Sequence, residues 1–161
     1  MMDEAMFVEQ VQSHERTLYR TAYSIMRNNQ DSLDAVQSAL TKAWAHRRKA
    51  DPSVFRAWLL RIVINECYSM RRRLKRETLI EDFAQTADQP PPDPSLRDAL
   101  DRLPENLKLS ILLFYMEGFS VQEIAGMLKT PSSTIKWRLS KARKLLKEDL
   151  SEKGVALHGG F

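Results

Sequence analysis

The stretch SVQEIAGMLKTPSSTIKWRLSKARKLL, residues 120–146, decides how the chain is read. Ser120-Val121-Gln122-Glu123 has the spacing of a capping box, in which the Ser hydroxyl serves the Glu amide and the Glu carboxylate reaches back. Ile124, Ala125 and Leu128 then line one face of a short helix, and the small Ala125 leaves room for a second helix to cross closely. Lys129-Thr130-Pro131 reads as a turn, with Thr130 as cap and Pro131 at the first position of the next helix. That helix carries Ile135, Leu139, Ala142, Leu145 and Leu146 on one face. Its other face shows Lys136, Trp137, Arg138, Ser140, Lys141, Arg143 and Lys144. Short helix, tight turn and basic second helix predict a helix-turn-helix that reads DNA. The small Ser132, Ser133 and Thr134 suit entry into a major groove ~12 Å wide, and the cations that follow suit phosphates. The alternative is an amphipathic helix pair with a solvated basic face. A helix-turn-helix alone does not separate a repressor from other DNA readers, so the remaining residues must.

Those residues predict helices throughout. The chain has 161 residues, 43% of them hydrophobic, and only 5 glycines. That is enough for one ordinary domain or two small helical ones. Apolar residues recur at three- and four-residue spacing. Phe7, Val11, Leu18, Ala22 and Ile25 mark a first helix over about Asp3–Asn28. Asp31 caps a second, with Leu33, Val36, Leu40, Ala43 and Trp44 inward. Asp51-Pro52 starts a third, which carries Phe55, Trp58, Leu59, Ile62, Val63 and Met70 and ends in the cluster Arg71 to Arg76. Leu96, Leu100 and Leu103 mark a short helix. Pro104 opens the next, with Leu107, Ile111, Phe114 and Tyr115 inward and Gly118 as a left-handed cap.

The net charge is +4, but its distribution says more. Residues 1–76 hold fourteen Lys and Arg against eight Asp and Glu, and residues 96–161 hold eleven against eight. Between them, residues 77–95 hold five acids, no base and the run Gln89-Pro90-Pro91-Pro92-Asp93-Pro94, which no helix can continue. The expected fold class is therefore all-α: a three-helix domain over residues 1–76 and a helix-turn-helix domain over 96–150. A flexible acidic linker over 77–95 joins them, and a frayed tail covers 151–161.

Several classes are disfavoured. The single Cys67 lies on an apolar stripe, reads as a core thiol and rules out a multi-cysteine zinc site. His14, His46 and His158 are scattered with no metal-ligand spacing, so no catalytic residue, metal or cofactor is expected. The acidic start Met1-Met2-Asp3-Glu4 lacks a secretory pattern, and no apolar run approaches the ~18 residues of a span. A cytoplasmic, non-enzymatic protein without membrane contact of its own is expected.

Taken together, the two halves resemble the extracytoplasmic-function sigma factors of bacterial RNA polymerase, over about Leu18–Arg76 and Leu96–Leu150. Leu18-Tyr19-Arg20 and Tyr23 look like the start of that family's region 2. Residues Asp31 to Trp44 match its D-x-x-D-x-V-Q signature and its Ala-Trp ending, and Phe55 to Asn65 match its F-x-x-W-L-x-R-I-x-x-N run. Leu103-Pro104, Glu123-Ile124-Ala125 and Thr134 to Arg143 match region 4. The resemblance implies that Asp31, Asp34, Gln37 and Leu40 dock on the clamp helices of the largest subunit of core RNA polymerase. It implies that Ser53, Arg61, Asn65, Arg71, Arg72 and Arg73 read and open the −10 element of promoter DNA. The −35 element would fall to Ser132, Ser133, Thr134, Lys136, Trp137, Arg138, Ser140, Lys141 and Arg143. The linker would thread towards the RNA exit path, and an anti-sigma factor would be a further partner. Bland readings stand beside these: Trp44 and Trp58 as core, Arg61 as an ion-pair partner, and the basic cluster as a helix end favoured by the helix dipole. Leu33 and Ser38 stand where the family often has Glu. Trp137 replaces a small residue, which implies an altered −35 readout through a thymine methyl. The competing classes are a stand-alone helix-turn-helix regulator and, more remotely, a nucleic-acid enzyme.

Overall fold

The computed structural model describes residues 3–77 and 96–152. These form two compact units, one on each side of the proline run. The linker expectation, apart from Glu77, and the tail expectation beyond Glu152 lie outside the described residues. Every described element is helical, as the apolar spacing requires.

In the first unit three helices pack mutually: α2 (Glu15–Met26), α3 (Asn29–Ala45) and α4 (Phe55–Glu77). The close fit comes from α3, where Ala35, Ala39 and Ala43 recur every fourth residue and are completely buried. Such a stripe lets neighbouring helices approach without large side chains between them. Leu18, Ala22 and Ile25 of α2 and Leu59, Leu60, Val63 and Cys67 of α4 complete the core. The Lys42 ammonium donates to the buried Glu66 carboxylate at 2.6 Å, tying α3 to α4.

The first helix, expected as one piece, is two. The helix α1 (Glu4–Ser13) ends at His14, whose φ of −115° and ψ of 10° leave the helical region. The break turns α1 so that Phe7 meets the edges of Trp44 and Phe55, with ring centroids 5.2 and 5.8 Å apart. Two further expectations give way. The cap of α3 is Asn28, whose carboxamide oxygen accepts from the Asp31 amide at 2.8 Å, and its Nδ2 donates to Asp31 Oδ2. Leu33 is 48% exposed, because the alanine stripe rather than Leu33 faces the neighbouring helices.

In the second unit α5 (Leu96–Arg102), α6 (Glu105–Ile111) and α7 (Val121–Leu128) all pack on α8 (Ser132–Glu152). Leu103, Leu107, Ile111, Leu113, Ile124, Ile135, Leu139, Ala142 and Leu146 form its core. Arg102 pairs with Asp149 at 2.7 Å. Past Ile111 the chain widens into a π turn over Leu112–Met116, with the Glu117 amide donating to the Leu112 carbonyl. The wider turn rotates Tyr115 outward, to 39% exposure, against the inward position expected from an uninterrupted α-helix. Gly118 closes the turn at φ 77°, the left-handed conformation for which glycine was expected.

Replacing Phe55 with Ala removes the ring on which Phe7 and Trp58 pack, and should cost about 3–5 kcal/mol in urea unfolding. His14 supplies a pH test. Burial, and then the Arg56 charge, hold its imidazole below the ordinary 6.5. The unfolded chain therefore takes up this proton first. The associated stability is complete above about pH 6.5 and is lost as pH falls through the depressed folded value. The His14→Gln variant should show a flatter fall in unfolding midpoint between about pH 7 and about pH 5.

Candidate nucleic-acid interface

The capping box forms as its spacing requires. The Glu123 amide donates to Ser120 Oγ at 3.1 Å, and the Ser120 amide donates to Glu123 Oε1 at 2.9 Å. This fixes the start of α7. Its end differs from expectation. Lys129 adopts the left-handed conformation at φ 53°, and the Thr130 amide closes on the Ala125 carbonyl at 3.0 Å. Thr130 therefore belongs to the end of α7, where its hydroxyl donates to the Leu128 carbonyl. Pro131 takes the cap position of α8, its carbonyl accepting from the Ile135 amide at 3.1 Å.

From that start the faces of α8 separate by periodicity. Ile135, Leu139, Ala142 and Leu146 are buried, and Ser133, Lys136, Trp137, Ser140 and Lys144 are exposed. At about 100° per residue, Ser133, Trp137, Ser140 and Lys144 fall on one stripe, flanked by Lys136 and Lys141. Trp137 is the most exposed large hydrophobic among the described residues, at 60%. Ser132, Thr134, Arg138, Lys141 and Arg143 are half-buried. Arg143 turns sideways and donates to the Tyr115 hydroxyl at 3.0 Å.

In the first unit α4 turns its core face to α2 and α3, which leaves Arg61, Asn65 and Arg72 exposed along the opposite side. Tyr68 lies on the same stripe and is half-buried. The other two arginines diverge around the helix. The Arg71 guanidinium lies 5.8 Å from the centre of the Tyr68 ring, and Arg73 donates to Ser69 Oγ at 3.3 Å. The arginine run is thus one outward cation with two lateral ones. Ser53 sits in the turn Pro52–Val54 ahead of α4, its amide and hydroxyl both donating to Asp51 Oδ1. Those two bonds hold the Asp51 carboxyl below the usual carboxylate range.

On α3, Asp34 and Gln37 are exposed, and Asp34 accepts from Gln30 at 3.1 Å. Leu40 is half-buried, and Asp31 is held by the Asn28 cap. Two features of this unit escaped the sequence reading. Leu33 stands on the outward side of α3, which periodicity misassigned because Leu33 and Ala35 compete for the same core. The turn Arg47–Lys49 between α3 and α4 places three cations in succession, and the run itself was the available signal. Among the described residues no group of His, Cys, Asp and Glu is arranged to hold a metal ion, and no helix is long and apolar enough to cross a membrane.

Comparison with known proteins agrees with this division of the chain. Residues 10–77 match the family model of sigma-70 region 2, and residues 94–146 match that of sigma-70 region 4. The RNA polymerase sigma factor SigV of Bacillus subtilis is 30% identical over 159 residues, spanning 92% of this chain and 96% of that protein. Among solved structures, the sigma factor RpoE in complex with the anti-sigma factor NepR from Bartonella quintana superposes with a TM-score of 0.77. It is 30% identical and covers 88% of this chain and 94% of its own. CnrH, solved in complex with the cytosolic domain of CnrY, gives a TM-score of 0.67 at 25% identity over 93% of this chain and 90% of its own. With both regions present in order, and SigV matched along nearly its whole length, the chain belongs to the sigma-70 family, in its extracytoplasmic-function group: non-enzymatic factors that serve promoter recognition in transcription initiation.

Proposed function

We propose that this chain docks on core RNA polymerase through the outward side of α3 and reads two promoter elements with α4 and α8. The observation that carries the proposal is the sorting of α8. Every fully buried residue of its first four turns is apolar, while its outward stripe is polar or cationic apart from one indole. A helix of that kind suits a major groove, with base edges met by its first turns and phosphates by Lys136, Arg138, Lys141 and Arg143. Asp34 and Gln37, with Leu40 and Asp31 beside them, supply the polar surface offered to the clamp helices. Arg61, Asn65 and Arg72 form the stripe offered to the −10 element, with Ser53, Arg71 and Arg73 around it. Residues 1–76 and 96–150 act as the two reading domains. Their covalent connection raises the effective concentration of the second contact once the first has formed. RpoE was solved in complex with the anti-sigma factor NepR, and CnrH in complex with the cytosolic domain of CnrY. An anti-sigma factor is accordingly proposed as the regulator of this chain, acting in the cytoplasm.

Reconstitution with core RNA polymerase and a library of random promoters tests the reading. Recovery of a two-part consensus that the chain alone does not retain is the expected result. Failure of the folded chain to bind core, or tight operator binding without core, would overturn it. Trp137 adds a finer expectation. If its indole covers a thymine methyl in the −35 element, deoxyuridine at that position should weaken the wild-type holoenzyme by about 0.8 kcal/mol, roughly fourfold. The Trp137→Ser variant should be indifferent to the same change and should select a different −35 sequence. Unchanged selection by Trp137→Ser would remove Trp137 from the reading face.

A further inference from the structure

We infer that the turn Arg47–Lys49 is a separate phosphate-binding site, which holds the DNA backbone beside the element read by α4. The inference rests on the promoter-binding role proposed above and adds a site to it. The turn is built rather than loose. It lies between the buried Ala43 and Ala50, and the Lys49 and Ala50 amides close it on the His46 and Arg47 carbonyls at 2.9 and 3.1 Å. Arg47 is fixed within it: its guanidinium carbon lies 3.7 Å from the centre of the Trp44 ring, and Nη1 donates to the Trp44 carbonyl at 2.9 Å. Trp44 in turn packs against Phe7, so the stack is anchored in the core. A guanidinium is planar, and one seated over an indole with a single N–H spent on a carbonyl keeps its other N–H groups for an oxyanion, which it can grip in bidentate fashion.

Arg48 and Lys49 follow in the next two positions and are exposed. In a tight helix of about three residues per turn they project in different directions from Arg47. Among the described residues no ion pair joins any of the three to a carboxylate. The nearest acid in sequence, Asp51, has one carboxylate oxygen occupied by both Ser53 donors. The nearby Lys42 is already matched by Glu66. The turn thus concentrates positive charge without an internal counterion, and mutual repulsion among its cations falls when an outside anion binds. The same unit carries Arg61 and Arg72 along α4, which starts a few residues later. Cations distributed along one unit in this way fit a string of phosphates better than a single carboxylate. Phosphate contacts position a protein without reading bases, so this site should add affinity and salt dependence but no sequence preference.

The test compares holoenzymes carrying the wild-type chain, Arg48→Ala/Lys49→Ala and Lys147→Ala, a single change at an exposed cation of α8 outside the proposed sites. Arg47 is left in place to preserve its stack. Binding is measured against potassium chloride concentration on the promoter selected by the wild type and on an unrelated duplex of equal length. Loss of two phosphate contacts should lower the slope of log affinity against log salt by about 1.8 on the unrelated duplex, with a comparable fall on the promoter. The selected consensus should remain the same, and Lys147→Ala should match the wild type. An unchanged slope in the double variant, an altered consensus, or a comparable loss in Lys147→Ala would each overturn the inference. Promoter selection by the wild type reports on the promoter reading, whereas the slope on the unrelated duplex reports on the turn. Either can therefore fail alone.

Discussion

The first unit depends on one constraint: two helices press on the same narrow face of α3. Ala35, Ala39 and Ala43 are completely buried there, and any larger residue would force α2 or α4 outward. With α2 and α3 both packed against it, the orientation of α4 is determined. Leu59, Leu60, Val63 and Cys67 turn towards the core, and Arg61, Asn65 and Arg72 are left on the far side. The same constraint sends Leu33, Asp34 and Gln37 to the surface of α3. The surfaces proposed to meet polymerase and DNA are thus the reverse sides of the two helices whose inner sides make the core. The aromatic cluster of Phe7, Trp44, Phe55 and Trp58 closes one end of this bundle and supports the Arg47 stack.

The second unit reaches a similar result with α8 as the common partner. Three short helices could not hold their shape alone, since isolated helices of seven or eight residues are far below the ~12–15 needed for marginal stability in water. Each is held instead by apolar contact with α8 and by specific links: the capping box at Ser120, the Arg102–Asp149 pair and the Lys108–Asp101 pair at 3.3 Å. The face of α8 proposed to read DNA is what remains after these contacts are made.

Much of the candidate site was legible in the sequence because its determinants are local. The capping box, the glycine at Gly118 and the alternation of Ile135, Leu139 and Ala142 with cations all depend on residues a few positions apart. Misreadings arose where a distant contact or an irregular turn decided the outcome. Nothing near His14 in the chain interrupts a helix, and the break there serves Phe7, which packs on rings thirty or more positions away. Tyr115 was read inward on a regular period that the π turn then shifted. Thr130 and Pro131 were each displaced by one role, because the left-handed Lys129 lengthened the closing of α7.

By itself, then, the sequence determined that the chain is all-helical, where the helix-turn-helix begins, and to which family the two halves belong. These follow from short-range spacing and from capping chemistry, which act without knowledge of the rest of the molecule. Tertiary structure alone decided which apolar residue of α3 faces inward, which arginine of the run continues the α4 stripe, and that Arg47 is pinned on Trp44. In each case several side chains had an equal local claim. The choice fell to close packing between helices, which no single helix contains.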